Sequence, residues 1–128
     1  MIIRITIVVL CCVGLYASAF MTRKTQRAEH GKVKGPSVVK TRRARVIAGI
    51  PNSIFGLAYY GALAGATPFL QIPPVYWTAL AAAAGAACMS AYLAYSLLFI
   101  TRMECKYCWM SHVVNWSLLA ILIAQHPR

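Results

Sequence analysis

The stretch Glu104-Cys105-Lys106-Tyr107-Cys108-Trp109-Met110-Ser111-His112 sets a Cys-x-x-Cys pair at the mouth of an apolar segment running to about Ala124. Two thiols at this spacing on the first turn of a helix can close into a small disulfide ring. A helix N-terminus offers partial positive charge and free N–H groups, which favour a thiolate. Lys106 adds a full positive charge between the cysteines, and Glu104 partly opposes it. The thiolate is the reactive form of cysteine, so both influences favour redox chemistry. The functional reading is a redox dithiol at a membrane edge. The pair also reads as two inert apolar cysteines, or as half of a metal site. A four-ligand metal site needs further donors, and the chain holds no second Cys-x-x-Cys or Cys-x-x-His to supply them.

Composition names the solvent. The 128 residues are 60% hydrophobic and only 12% charged, against about 25% charged in a soluble domain. So much apolar surface exceeds what a chain of this length buries in its own core, and a multi-pass integral membrane protein is expected. The formal charge is +11, from thirteen Lys and Arg against two acids. Most of that charge falls between Arg23 and Arg45, flanked by two candidate spans and without interleaved aromatics. Anionic lipid headgroups therefore fit as its partner better than nucleic acid does. Cysteines stand at 11, 12, 88, 105 and 108. The odd count and single close pair do not resemble a disulfide scaffold, and Cys11, Cys12 and Cys88 read as packing residues inside apolar runs.

Outward from the motif, four apolar segments predict an all-α bundle of four transmembrane helices, one domain over 1–128, at about 3–21, 53–67, 75–100 and 105–124. Residues 5–21 carry no charge and lie at the short end of span length. They also resemble a signal peptide, with Arg4 in front and Ala17-Ser18-Ala19 as a cleavage signal. A retained helix is preferred, because three further spans would pair with it. Residues 22–45 read as a basic loop, with a short surface helix around Val39–Val46. Gly49-Ile50-Pro51-Asn52-Ser53 is a helix start, with Asn52 or Ser53 as the cap. Gly56, Gly61 and Gly65 suit a closely approached helix face. Pro68 and Pro73-Pro74 separate the second and third spans. Tyr76 and Trp77 suit one membrane interface, and Tyr92 and Tyr95 the other. In the last span His112 follows Cys108 by four residues and Asn115 follows His112 by three, giving a polar stripe one turn deep. Such a stripe is costly in a membrane unless it faces the bundle interior. Four spans put both termini on one side, and the basic loop and Cys-x-x-Cys on the other.

Two of these segments resemble a known family. Gly49-Ile50-Pro51-Asn52-Ser53-Ile54-Phe55-Gly56-Leu57-Ala58-Tyr59-Tyr60 resembles the signature that opens the second helix of the vitamin K epoxide reductase family. Cys105-Lys106-Tyr107-Cys108, followed by His112 and Asn115, resembles its active-site motif on the fourth helix. Gly14-Leu15-Tyr16-Ala17-Ser18 is weakly similar to its first helix. The resemblance spans about 5–124 and implies a four-helix membrane bundle around a quinone of the menaquinone, ubiquinone or vitamin K type. It implies Cys105 and Cys108 as the catalytic pair, with Cys108 facing the quinone and Cys105 exchanging with an incoming thiol. It implies Asn52 and His112 as hydrogen-bonding partners of the two quinone oxygens, with Phe55 and Tyr60 lining the pocket, and no metal.

One departure bears on mechanism. The family usually carries a second, shuttle cysteine pair between its first two helices, and residues 22–52 here contain no cysteine. By alignment of motifs, those positions would fall near Ala28 and Pro36, and an assisting polar residue near Arg42. An internal relay through the loop is excluded. Either a separate thioredoxin-like dithiol protein reaches Cys105 directly, or the chain is a non-catalytic quinone- or partner-binding membrane protein. A third reading is a metal or ion carrier built on Cys105, Cys108 and His112. A bacterial inner membrane is the expected setting. The positive-inside rule puts the basic loop in the cytoplasm, while the family mostly works on the oxidising side, so the side of the active site stays open.

Overall fold

The computed structural model describes residues 1–32, 34–35, 49–103 and 105–126. Glu104, the loop helix expected at Val39–Val46, and the positions near Pro36 and Arg42 lie outside the described residues. The elements are α1 (Ile2–Glu29), α2 (Asn52–Ala66), α3 (Pro73–Tyr95) and α4 (Lys106–Ala124). A short 3₁₀ turn (Thr67–Phe69) follows α2, and a π-helical stretch (Ser96–Thr101) continues α3. No β-strand occurs among the described elements.

The apolar runs become helices because only helices satisfy the backbone inside lipid. Three of them, Ile2–Glu29, Pro73–Ile100 and Lys106–Ala124, are long and apolar enough to cross a membrane. The chain is an integral membrane protein. Of the four expected spans, the structure gives three at full length, and α2, with 15 residues, is shorter. Many large apolar side chains, among them Ile5, Val9, Leu98, Phe99 and Ile123, point outward. In water such a surface would be an aggregation hazard, and in lipid it is the normal solvated face.

α1 runs eight residues further than its charge pattern predicts, to Glu29. Arg23, Lys24, Gln26 and Arg27 are straight-chain helix formers, and no Gly or Pro interrupts them before Gly31. The helix stops there. Gly31 takes φ +70°, its N–H donates to the Ala28 carbonyl, and the Lys32 N–H reaches back to Arg27. That pair of bonds is a Schellman ending, which favours glycine at the left-handed position. A second left-handed residue, Arg102 at φ 51°, turns the chain between α3 and α4.

α1 packs on α2 and α4, α4 also packs on α3, and α2 and α3 barely touch. The core lies toward the terminal end of the bundle, where Ile7, Cys11, Leu63, Ala83, Leu118 and Leu122 form one buried cluster. Ala79, Ala83, Ala87, Ser90 and Ala94 form the buried stripe of α3, small enough to let α4 approach closely. The Tyr76 hydroxyl donates to the Leu122 carbonyl at 2.7 Å, and Trp116 Nε1 donates to the Ala87 carbonyl.

Several expectations are corrected. Pro51, not Asn52 or Ser53, is the N-cap of α2, and no side chain caps that end. Asn52 and Ser53 sit in the first turn instead, and the Ser53 hydroxyl shares a hydrogen bond with that of Thr22 at 2.9 Å. Of the three glycines on α2, only Gly56 is closely approached: a Cβ there would lie 2.5 Å from Ser18 Oγ, while Gly61 and Gly65 face open space. Five residues of α-helix turn about 140°, which carries Gly61 off the Gly56 face. Cys12 and Cys88 are exposed rather than packed, and only Cys11 is buried. Both exposed thiols lie on faces turned to lipid. Tyr76 is buried at 3% exposure, because its hydroxyl caps α4, so only Trp77 of that pair faces outward.

Candidate active site

The half of the bundle opposite the core holds a cavity of about 430 Å³ in the gap between α2 and α3. Its volume lies within the range of small-molecule sites. Cys108, His112 and Asn115 line it from α4, and Asn52, Phe55, Tyr59 and Tyr60 from α2. α3 contributes Ser90, Met89 and Leu93, and α1 contributes Ser18 and Met21. All four helices therefore contribute wall, and the lining is mainly apolar with a few polar groups.

The two cysteines are joined as a disulfide, Cα to Cα 5.3 Å. They do not occupy equivalent places. Cys105 is the N-cap of α4, with extended backbone, and its Sγ accepts from the Cys108 N–H at 3.3 Å. Cys105 is therefore one residue outside the helix rather than on its first turn. Its sulfur lies 4.0 Å from Met21 Sδ on α1 and is not part of the cavity wall. Cys108 is on that wall. Tyr107 stacks on Phe20 with ring centroids 3.9 Å apart, which fixes the start of α4 against α1.

One turn below Cys108, His112 is buried at 5% exposure. Among the described residues, neither of its ring nitrogens has a hydrogen-bond partner. Trp109 and Trp116 flank it, with centroids 5.9 Å and 6.1 Å away. At the cavity floor the Tyr60 hydroxyl donates to Asn115 Oδ1 at 2.6 Å, and Asn115 Nδ2 donates to Ser90 Oγ at 2.6 Å. This chain of bonds links α2, α4 and α3. Tyr60 is held there by Gly14 on α1, where a Cβ would come within 2.5 Å of the tyrosine ring.

Every residue that the sequence proposed for the pocket (Asn52, Phe55, Tyr60, Cys108 and His112) lines this one cavity, and Cys105 stands just outside it. Ser90 and Tyr59 are among the wall residues that were not foreseen. Ser90 is a lone hydroxyl in the alanine-rich part of α3, and its spacing of three from Ala87 was the available signal. Tyr59 carries a buried hydroxyl without a partner among the described residues, and nothing in the sequence distinguished it from Tyr60. Cys105, Cys108 and His112 do not form a three-donor cluster of the kind that could hold a metal ion among the described residues.

The vitamin K epoxide reductase family model matches residues 5–123. No curated protein matches the chain. With a Cys-x-x-Cys disulfide beside a half-open cavity in a helical membrane bundle, and with that match covering nearly the whole sequence, the chain belongs to the vitamin K epoxide reductase family.

Proposed function

We propose that the protein carries two electrons from a separate dithiol protein, through the Cys105–Cys108 disulfide, to a quinone held in the cavity between α2 and α3. The observation that carries this reading is the asymmetry of the disulfide: Cys108 is on the cavity wall and Cys105 is outside it. The unpartnered nitrogens of His112 support a polar ligand, since a buried polar group without a partner costs about 1–3 kcal/mol that a ligand oxygen would return.

A thiolate of the partner attacks Cys105 Sγ, the S–S bond breaks, and the electron pair leaves on Cys108 Sγ. The partner's second thiol then attacks the mixed disulfide, so the partner leaves oxidised and Cys105 and Cys108 are both reduced. The N-terminal end of α4 stabilises the Cys108 thiolate beside the ligand. When bound, the quinone accepts two electrons and two protons, which re-forms the disulfide and balances the cycle. Asn52 and His112 polarise the two ring oxygens, Phe55 and Tyr60 shape the ring site, and the apolar wall excludes water. α2 and α3 barely touch, and an acceptor with an apolar tail would reach the site from lipid between them.

In this reading one domain crosses the membrane four times. α2 and its 3₁₀ turn together reach about 28 Å, close to a hydrocarbon core of about 30 Å. Anionic headgroups meet the basic residues after Met21 in a bacterial inner membrane. A second reading is favoured by the missing loop cysteines: a bundle that binds a quinone or a partner without turnover.

Thiol alkylation of Cys105 and Cys108 in membranes separates the two. Added quinone should convert a reduced pair to the disulfide, and Cys108→Ala should abolish quinone reduction. A pair that stays reduced at every quinone level would sink the oxidoreductase reading.

A further inference from the structure

Most polar side chains on the cavity wall already have protein partners. Ser53 pairs with Thr22, Thr25 bonds the Met21 carbonyl, Ser96 bonds the Tyr92 carbonyl, and Tyr60, Asn115 and Ser90 satisfy one another. Among the described residues, three buried side-chain atoms have no partner: Nδ1 and Nε2 of His112 and the hydroxyl of Tyr59. All belong to residues on the wall of the same cavity.

Tyr59 cannot easily turn away from that position. Its ring packs against the buried core cluster and against Tyr60, with centroids 5.0 Å apart. A tyrosine hydroxyl has one proton to donate, and leaving it shielded and unmatched costs free energy that a ligand acceptor recovers. The quinone reading already assigns both ring carbonyls, one to Asn52 and one to His112. No carbonyl remains for Tyr59.

We propose that Tyr59 is a specificity-determining donor, favouring quinone-class rings that carry a third acceptor oxygen on a ring carbon over rings whose only oxygens are the two carbonyls. The inference rests on the quinone reading above. The third oxygen is an ether oxygen, present either as a methoxy substituent or as the bridging oxygen of a quinone epoxide.

Matched pairs of ligands test it in the full-length detergent-purified protein. One pair is a dimethoxy-benzoquinone and the same ring with methyl groups in place of methoxy groups. The other is the epoxide of a methyl-naphthoquinone and the parent naphthoquinone. Each Kd is read from quenching of tryptophan fluorescence, to which Trp109 and Trp116 beside His112 contribute. Wild type should bind the oxygen-bearing member of at least one pair about tenfold more tightly, the worth of one matched hydrogen bond. Tyr59→Phe should collapse that ratio toward one, and the pair that collapses identifies the source of the oxygen. Tyr16→Phe, an exposed tyrosine outside the cavity, should leave the ratio as it is. A wild-type ratio near one in both pairs overturns the inference without any variant, which covers the case of a misfolded Tyr59→Phe protein. A ratio that persists in folded Tyr59→Phe also overturns it. In both cases binding of the rings leaves the quinone reading standing, whereas failure of all four rings to bind removes the reading and the inference together.

Discussion

The Tyr60 hydroxyl and Asn115 Oδ1 lie 2.6 Å apart at the floor of the cavity, and the other end of the same amide donates to Ser90. One asparagine thus ties α4 to both α2 and α3, two helices that barely touch each other. Its loss should be felt more than the loss of either partner. Asn115→Ala leaves the hydroxyls of Tyr60 and Ser90 without that partner, while Tyr60→Phe leaves only the amide oxygen short. Hydrogen bonds between membrane helices are worth about 0.6 kcal/mol on average and up to about 1.7. Asn115→Ala should therefore cost about 1–3 kcal/mol and Tyr60→Phe about half as much. Thermal unfolding in detergent checks the order, and an equal or reversed order would mean that the amide is not the joint.

His112 presents the opposite case. It is buried with both ring nitrogens unpartnered among the described residues, so in the absence of ligand it weakens the fold. Replacing such a group by an apolar one of similar size is neutral or stabilising. His112→Leu should raise the unfolding temperature of the ligand-free protein by a few degrees, the shift expected from about 1 kcal/mol in a domain of this size. The same variant should lower kcat/KM for quinone reduction tenfold or more. A functional site that costs stability predicts both signs together. A variant that loses stability and activity in parallel would make His112 a structural residue.

The spacing Cys105, Cys108, His112, Asn115 was legible because four- and three-residue steps on a helix put side chains on one face whatever the neighbours do. Spacing does not place Phe55 and Tyr60 together, since five residues of helix turn about 140°; the family resemblance is what marks Asn52, Phe55 and Tyr60 as pocket residues. Other features depended on packing that a single sequence does not encode. Tyr59 and Tyr60 are about 100° apart on α2, and which of them finds a partner is decided by where Asn115 stands on α4. Tyr76 looked like an interface tyrosine until the Leu122 carbonyl gave its hydroxyl an inward partner. The basic residues after Met21 were read as the end of α1, although charge does not stop a helix. Gly31 does, and α1 ends at Glu29, eight residues later than expected.

The contact between Gly14 and Tyr60 makes a sharp steric prediction. A methyl group at position 14 would come 2.5 Å from the tyrosine ring, and a rigid buried ring has little room to yield. Gly14→Ala should cost about 1–3 kcal/mol, the usual range for overpacking, and should lower quinone affinity by tilting Tyr60 on the cavity wall. Gly56→Ala meets only the movable Ser18 hydroxyl and should cost less. Gly61→Ala faces open space and should be neutral or slightly stabilising, because alanine is the better helix former. Unfolding temperatures of the three variants in one detergent give the ranking, and a destabilised Gly61→Ala would contradict the placement of α2.

The last prediction follows from the unequal positions of the two cysteines. With no cysteine in residues 22–52, the incoming thiol must act directly on the Cys105–Cys108 pair, and only Cys105 lies off the cavity wall. In Cys108→Ala the remaining Cys105 thiol can displace the small thiol that caps a single-cysteine variant of the dithiol protein, and with the second thiol gone from both chains nothing adjacent resolves the bond. A mixed disulfide should accumulate in membranes and disappear on reduction. In Cys105→Ala the remaining thiol is Cys108, beside His112 and screened by the helices around it, and the mixed disulfide should be several-fold scarcer. Non-reducing electrophoresis with the capped single-cysteine variant of a small purified thioredoxin-like protein measures both. Equal trapping by the two variants would mean that protein thiols reach Cys108 as readily as Cys105, and the division between an outer exchanging cysteine and an inner quinone-facing one would then be wrong.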